Sequence, residues 1–430
     1  MTSDELKIPI TAQLQMVPVS EVPVSTPVDF AQLIPAEIRE AGVLNLFSLR
    51  MLACMPDGEL MKIPVQFSPN QLGSLSGTLV WLVGSQPVIS TRRDFLLYLD
   101  ISKPEKSGQT VMGGSVFGNK IFEENGDAKT LPYFPRMQAV PTPGSKVSIQ
   151  RDGVEVLGYN YGTYGEHAVR PYFFPLIGPS GRCVTRIGHP HDPVGHRHHY
   201  SIWLAYHQVN GVNFWDDRES SGRQIHQKFL SLSDGPVFAG FRAMVHWRNP
   251  EGKTLMEETK QVSVYPLSGD ALLIDMNLTF ASIGEAVQLE KTQFGFLGVR
   301  VAKSMGVFDG SGRMQNSEGA INEKAIFWKR SKWCDYSGPI TENEWNGIAI
   351  FDHPDNPNHP SHWHVRSDGW MSPCLFFENG ETITPDKKLV LNYRLFVHAG
   401  DAVAARVQNR YEEYARAVGI EVGTPSAVQL

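Results

Sequence analysis

The feature that most limits how this chain folds is the alternation of apolar and polar residues in short runs that end at turn formers. The segment QRDGVEVLGYNYG places Asp152 and Gly153 between two alternating runs, the typical signal of a two-residue hairpin. Further on, the segments NPEG and SGD separate three long alternating runs between residues 245 and 280. With 39 Gly and 29 Pro to supply turns, the pattern predicts an all-β protein built mainly from antiparallel strands.

The length of the chain predicts two domains. At 430 residues it exceeds one ordinary domain of about 100 to 200 residues. Residues 103–146 are rich in charge and turn formers, as an interdomain connection is. We therefore expect an N-terminal β-sandwich with its linker over 1–145 and a larger antiparallel domain over 146–430. The last segment has apolar residues at helical spacing and predicts a C-terminal helix with Asp401 as its N-cap.

Composition excludes several classes of function. A net charge of −6 without any dense run of Lys or Arg argues against a nucleic-acid partner. The four cysteines stand far apart, so neither a zinc knot nor a disulfide framework is indicated. No run approaches the roughly 18 to 20 apolar residues that span a bilayer, and the N-terminus lacks the features of a signal peptide. We expect a cytoplasmic protein; the oligomeric state stays open.

The histidines indicate where the function lies. Ten of the 14 fall in two short stretches, GHPHDPVGHRHHYSIWLAYH and DHPDNPNHPSHWH. Both stretches are rich in Pro, Asp and Asn, and both run into an aromatic strand, so they are expected to be loops at strand ends, where binding and catalytic residues concentrate. Imidazole exchanges protons near neutral pH and also ligates transition metals. We predict His198, His199 and His364 as proton-transfer groups.

A metal site is the other interpretation of the same stretches. In a strand, the pairs His196-x-His198 and His362-x-His364 each place both side chains on one face, about 7 Å apart. A divalent metal that needs three or four ligands could draw on both pairs. The sequence contains no tight signature such as H-E-x-x-H, so the cofactor is left open between none and a divalent metal.

Other polar and aromatic residues complete the predicted site. Asp352 and Glu318 are predicted to orient or assist the histidines. Sugar hydroxyls and C–H faces suit a mixture of hydrogen-bonding and indole groups, and on that ground the predicted substrate-binding residues are Arg170, Asn213, Trp215 and Trp363. In the run MEETKQ, Glu258 and Lys260 are expected to share one face of a strand.

Several of these segments resemble a known family. RPYFFPLIGPSG, HRHHYSIWLAYHQVNGVNFW, KTQFGFLGVRVA and GIAIFDHPDNPNHPSHWHVR occur in the expected order and, with shorter matches, cover most of residues 155–401. They resemble the soluble bacterial proteins known as the methane oxygenase PmoA family. The family pattern H-P-H-H-R-G-L-W is similar to the run His196–Trp203, in which three histidines carry over while Arg197 and Tyr200 depart.

The resemblance implies a fold and a field of activity. It implies a β-supersandwich-like C-terminal domain and, because such proteins are often encoded beside sugar dehydrogenases and isomerases, a role in carbohydrate catabolism. We therefore expect an enzyme that acts on a small sugar or glycoside by lyase, hydrolase or isomerase chemistry through the histidine-rich site. A metal-dependent oxygenase and a non-catalytic sugar-binding protein remain the alternatives.

Overall fold

The computed structural model describes residues 4–37, 43–71, 73–84, 90–102, 135–162, 169–192 and 194–428. The chain divides into two compact units, one made of residues 1–135 with 416–430 and the other of residues 136–415. Most of the predicted linker, residues 103–134, lies outside the described residues. The predicted boundary at 145/146 falls inside a hairpin of the second unit, and the last residues belong to the first unit.

The first unit is a β-sandwich. Its strands, numbered along the whole chain, are β1 Asp4–Gln13, β2 Val22–Asp29, β3 Val43–Cys54, β4 Leu60–Ile63, β5 Val65–Pro69, β6 Ser76–Val83, β7 Arg92–Ser102, β26 Gly419–Val422 and β27 Ser426–Val428, with a short helix at Phe30–Leu33. One sheet has the order β26-β1-β7-β3-β4, with β27 also on β1, and the other has the order β2-β6-β5. Alternate residues of both sheets, such as Ile8, Trp81 and Leu97, share one buried core.

The second unit contains most of the strands. These are β8 Met137–Thr142, β9 Lys146–Arg151, β10 Val154–Asn160, β11 Tyr172–Leu176, β12 Ile202–Leu204, β13 Arg223–Ser233, β14 Ala239–Arg248, β15 Thr254–Pro266, β16 Leu272–Ser282, β17 Val287–Leu289, β18 Leu297–Arg300, β19 Arg313–Asn316, β20 Trp333–Pro339, β21 Trp345–Asp352, β22 His362–Arg366, β23 Trp370–Cys374, β24 Glu381–Ile383 and β25 Leu389–Ala399. Short helical segments are Ser268–Asp270, Lys303–Met305, Asn322–Ile326 and Val407–Ala415.

Sixteen of these strands form two large antiparallel sheets, and β17 and β24 pair with each other as a small third sheet. The first sheet has eight strands in the order β22-β23-β18-β12-β11-β10-β9-β8, and the second has eight in the order β13-β14-β15-β16-β25-β21-β20-β19. Their inward side chains form one hydrophobic core, to which Ile202 and Val299 of the first sheet and Ile274 and Leu391 of the second belong. The two sheets with their shared core confirm the all-β, supersandwich-like prediction for this unit.

Two local predictions from the sequence can be compared with the backbone. Asp152 and Gly153 have φ of 53° and 83° and join β9 to β10, which confirms the predicted hairpin. The C-terminal helix is also confirmed, but it begins at Val407 rather than after Asp401. The Asp401 carboxylate accepts hydrogen bonds from the backbone of Val403 and Ala404. The turn that it caps does not run into the helix, because Arg406 has a left-handed φ of 53°.

The strand period gives the first sheet a second, outer face. In β22, Trp363 and Val365 join the core, so His364 points to the opposite face. In β18, Leu297 and Val299 join the core and Gly298 and Arg300 do not. We call the surface formed by Trp203, Gly298, Arg300, His364, Arg366 and Trp370 the outer face of the first sheet. It carries histidine, arginine and tryptophan where the inner face carries aliphatic and aromatic residues.

Candidate functional site

A cavity of about 460 Å³ lies on the outer face of the first sheet. Five histidines line it together with three aromatic and three charged residues: His196, His198, His199, His207, His364, Trp215, Phe294, Trp370, Asp216, Arg366 and Asp368. Both histidine stretches contribute to it. Four of the predicted site histidines, His196, His198, His199 and His364, are therefore brought to one cavity, whereas His362 is not.

The first histidine stretch is packed as a cluster of rings. His198 and His199 have ring centroids 4.6 Å apart, and His196 lies 5.2 Å from His199. His199 stacks on Trp203 at 5.0 Å, in the floor of the outer face. Gly298 makes room for this floor, because a Cβ at that position would lie 2.5 Å from the Trp203 ring. The loop is therefore held on a rigid surface.

Trp370 joins the two histidine stretches. Its ring lies 5.4 Å from His199 and 4.4 Å from His364. Trp215 lies 5.8 Å from Trp370 and 5.0 Å from Phe294, so aromatic rings form a continuous wall. His199 and His364 are 165 positions apart in the sequence, and one indole ring lies between them in the structure.

The hydrogen bonds of His364 define its tautomer. Its Nδ1 lies 3.2 Å from the carbonyl oxygen of Gln293. Since a carbonyl only accepts, Nδ1 carries the proton and donates it, and in the neutral ring Nε2 holds the lone pair. The structure gives Nε2 no hydrogen-bond partner among the described residues. The nitrogen that can accept a proton is therefore left for a ligand of the cavity.

Burial keeps three histidines of the cavity, His198, His199 and His364, neutral at pH 7. It lowers the pKa of His364 to about 4, against the hydrogen bond from its ring to Gln293. Burial, with the nearby Arg170 guanidinium, lowers the pKa of His198 to about 4, and burial lowers the pKa of His199 well below its usual value. At neutral pH these rings are proton acceptors and hydrogen-bonding groups rather than cations.

This burial makes stability depend on pH. In the unfolded chain a histidine titrates near 6.5, so between about pH 6.5 and 4 the unfolded state binds more protons at His198 and His364 than the folded state. The contribution of these two histidines to the free energy of unfolding is therefore fully present above about pH 6.5, and it is lost as the pH falls towards 4. We expect a loss on the order of 3 kcal/mol per histidine by pH 4.

Denaturant unfolding at pH 7, 5.5 and 4.5 measures this loss. The double variant His198→Gln/His364→Gln should lose less stability over the same interval than the wild type. Parallel pH profiles for the two proteins would contradict the assignment of these two rings as buried neutral groups.

Arg170 lies beneath the cavity instead of lining it. The side chain is buried, and its guanidinium donates to the carbonyls of His198, Trp215 and Asp216. Burial lowers its pKa to about 10, which still leaves it charged at neutral pH. Arg170 was predicted to contact substrate. In the structure it instead connects the histidine loop to the loop of Trp215 through these hydrogen bonds.

Asn213 has a similar supporting position. Its Oδ1 accepts hydrogen bonds from the backbone of Trp215 and Asp216, and its Nδ2 donates to the Asp216 carboxylate at 3.2 Å. Such a turn fixes the two residues that follow it. Trp215 lines the cavity as expected, Asp216 lines it beside Trp215, and Asn213 lies behind both.

Four other predicted residues lie elsewhere. Asp352 is fully buried, where it accepts hydrogen bonds from Asn356, Ser361 and the ring of His359 and so holds its own loop together. Glu318 lies at an exposed turn. Trp363 belongs to the core, with its indole N–H donating to the carbonyl of Ser331. His362 stacks on Phe377 at 4.4 Å, outside the cavity lining.

The four-histidine metal set is not assembled. His362 is separate from His196, His198 and His364, which line the cavity. Within the described ranges, no group of three or more His, Cys, Asp or Glu side chains is arranged to hold a metal ion.

Over the same ranges, no helix is both long enough and apolar enough to cross a bilayer.

Sequence reasoning missed several lining residues. Asp368 follows Ser367 in the turn between β22 and β23, where a turn signal masks any other role. Arg366 and Trp370 flank this turn: Arg366 lies two residues from His364 in β22, and Trp370 is its partner across the hairpin, so the strand period was the available signal. His207 closes the first histidine stretch and Phe294 lies in the family-like segment KTQFGFLGVRVA, but neither was among the predicted site residues.

The fold and the cavity together define an all-β protein whose outer sheet face carries a pocket of histidines, aromatic rings and carboxylates. The chain belongs to a family of unknown function (DUF6807), whose model matches residues 146–412. The matched region contains every residue that lines the cavity. A search of the curated proteins finds no match.

Solved structures of similar arrangement have low sequence identity. A glycosyl hydrolase family 38 protein from Enterococcus faecalis is 9% identical with a TM-score of 0.42, covering 98% of this chain and 47% of that one. An alpha-mannosidase from Enterococcus faecalis V583 is 9% identical with a TM-score of 0.46, covering 97% and 46%. A GalM/aldose epimerase homologue from C. elegans is 7% identical with a TM-score of 0.23, covering 62% and 99%. This chain spans about half the length of the first two.

Proposed function

We propose that this protein is an enzyme that moves a proton on a sugar or glycoside, in a lyase or isomerase type of reaction, with His364 as the proton acceptor. One observation carries the proposal: the hydrogen bond to the Gln293 carbonyl puts the ring proton of His364 on Nδ1, so Nε2 holds the lone pair of a ring that lines the cavity. A neutral imidazole with its lone pair on Nε2 can act as a general base near neutral pH.

The chemistry follows from the groups around that nitrogen. His364 Nε2 removes a proton from a carbon beside a carbonyl, and the electron pair of the broken C–H bond forms an enolate. The developing negative charge needs hydrogen-bond donors in place before the reaction. His198, neutral and on the same cavity, supplies an N–H donor. Collapse of the enolate then returns a proton for isomerisation or expels a leaving group for elimination.

The aromatic wall supports a sugar as the substrate. A pyranose ring has an apolar C–H face and a polar rim of hydroxyls, and proteins bind such molecules with indole rings and a few directed polar groups. Trp215, Trp370 and Phe294 supply aromatic rings for the C–H face. Asp216 and Asp368 supply hydrogen-bond acceptors for the hydroxyls. The cavity volume of about 460 Å³ lies within the usual range for small-molecule sites.

Proton exchange with solvent tests the proposal without knowledge of the product. The purified protein is incubated in D₂O with neutral aldoses, their methyl glycosides, the corresponding keto sugars and uronates, and each mixture is followed by proton NMR. We expect at least one compound to lose a C–H signal to deuterium or to be converted. Binding without exchange or conversion would make the protein a sugar-binding module instead, and absence of binding would contradict the proposal altogether.

A further inference from the structure

The carboxylate of Asp368 is fixed from behind by two groups. Its Oδ1 accepts a hydrogen bond from Nη1 of Arg300, a fully buried side chain, at 3.0 Å. Its Oδ2 lies 3.3 Å from Nε2 of His189. The Nδ1 of His189 accepts from the backbone of His191 and Asp192, so its proton is on Nε2 and faces Asp368.

The backbone of the same turn is held as well. Arg186 Nη2 donates to the carbonyl of Asp368 at 2.7 Å, and Glu323 accepts from the N–H of Ser367 at 2.6 Å. A carboxylate has about four acceptor positions, so Asp368 keeps positions for a ligand although Arg300 and His189 already face it. Its side chain is 27% exposed and lines the cavity. The structure thus holds an acceptor at a fixed point on the cavity wall.

The remaining charges of the cavity do not favour an anion. Asp216 lines it too, and of the described residues that line it, Arg366 is the only arginine or lysine. Arg366 already faces Glu323, with its Nε 3.3 Å from the carboxylate. His198, His199 and His364 add no positive charge at neutral pH, because burial lowers the pKa of His198 and His364 to about 4 and that of His199 well below its usual value.

From this arrangement we infer that Asp368 is a specificity-determining residue, which accepts hydrogen bonds from the hydroxyls of a neutral sugar and disfavours an acid sugar. The inference rests on the proposed function and adds the substrate class to it. A hydroxyl donates to the fixed carboxylate, whereas the carboxylate of a uronate has no proton to donate and is repelled by Asp368 and Asp216. Arg300 acts on the substrate only through Asp368 and is a positioning residue.

Calorimetric titration of the full chain with matched pairs tests the inference. Glucose, galactose and their methyl glycosides are compared with glucuronate, galacturonate and the corresponding methyl glycosides at pH 7.5. We expect each neutral sugar that binds to do so at least tenfold more tightly than its acid partner. Since a hydrogen bond to a charged group contributes about 1.5 to 3 kcal/mol, Asp368→Asn should weaken binding of the neutral sugar about 10- to 100-fold. The same variant should reduce the difference in affinity between the neutral and the acid sugars.

Asp309→Asn is the matched control. It removes a negative charge from the neighbourhood of His191, but it does not line this cavity, so both affinities should remain as in the wild type. Asp368→Asn leaves Arg300 buried without its carboxylate and is at risk of not folding; the wild-type comparison needs no variant. Equal or tighter binding of the acid sugars overturns the inference and leaves the proposed function standing. Failure of both classes to bind contradicts the proposed function and the inference with it.

Discussion

Replacing His364 with glutamine should lower kcat/KM for the substrate found by deuterium exchange about 100- to 10,000-fold, the usual contribution of a general base. Glutamine keeps an N–H donor for the Gln293 carbonyl, but it has no nitrogen that accepts a proton. The loss should be mainly in kcat, because the aromatic wall that binds the sugar stays in place. Initial rates over a range of substrate concentrations separate the two constants.

His226→Gln is the matched control for this variant. Burial lowers the pKa of His226 to about 4 as well, and its ring packs on Tyr161 and Phe229, away from the cavity. It should leave kcat/KM unchanged. If His364→Gln retains wild-type kcat, or if both variants lose activity equally, His364 is not the proton acceptor.

Replacing Lys260 with methionine should destabilise the second unit by about 3 to 5 kcal/mol, the cost of leaving a buried charge without its partner. Lys260 and Glu258 are both buried, with Nζ 3.1 Å from the carboxylate, and Glu258 also accepts from the indole N–H of Trp247. Without the ammonium group, the carboxylate stays in the core with that one neutral donor. Denaturant unfolding followed by tryptophan fluorescence measures the loss.

A double variant separates the ion pair from simple packing. Glu258→Gln/Lys260→Met removes both charges and keeps an acceptor for Trp247, so it should recover most of the lost stability. The difference between the single and double variants reports the coupling of the two side chains. Equal destabilisation in both would show that the volume and shape of Lys260, rather than its charge, stabilise the core.

The sequence predicted the strands well because their side-chain period is short. Hairpins such as the one at Asp152 and Gly153 follow from local turn chemistry, and the shared face of Glu258 and Lys260 follows from the period of two. Local pattern is enough for these features, because each depends on residues only a few positions apart.

The set of residues that lines the cavity depends on contacts between distant segments, so little of it could be predicted from the sequence. Arg170 was predicted to bind substrate, but its guanidinium donates hydrogen bonds to three backbone carbonyls of residues 28 to 46 positions away. Asp352 stands in a histidine-rich stretch, yet its hydrogen bonds close its own loop. Asp368 was missed because its partners are distant in sequence: Arg300 approaches it when β18 and β23 pair, and His189 lies in the first histidine stretch.

The pairing of β1 has a consequence for the order in which the chain is completed during synthesis. One edge of β1 binds β7, within the first hundred or so residues, while its other edge binds β26 and β27, near residue 420. Because a ribosome releases the chain from its N-terminus, one edge of β1 has no partner strand while residues 136–415 are synthesised. The first unit is begun before the second unit and completed after it, and until then β1 presents unpaired backbone groups that must be kept from other strands.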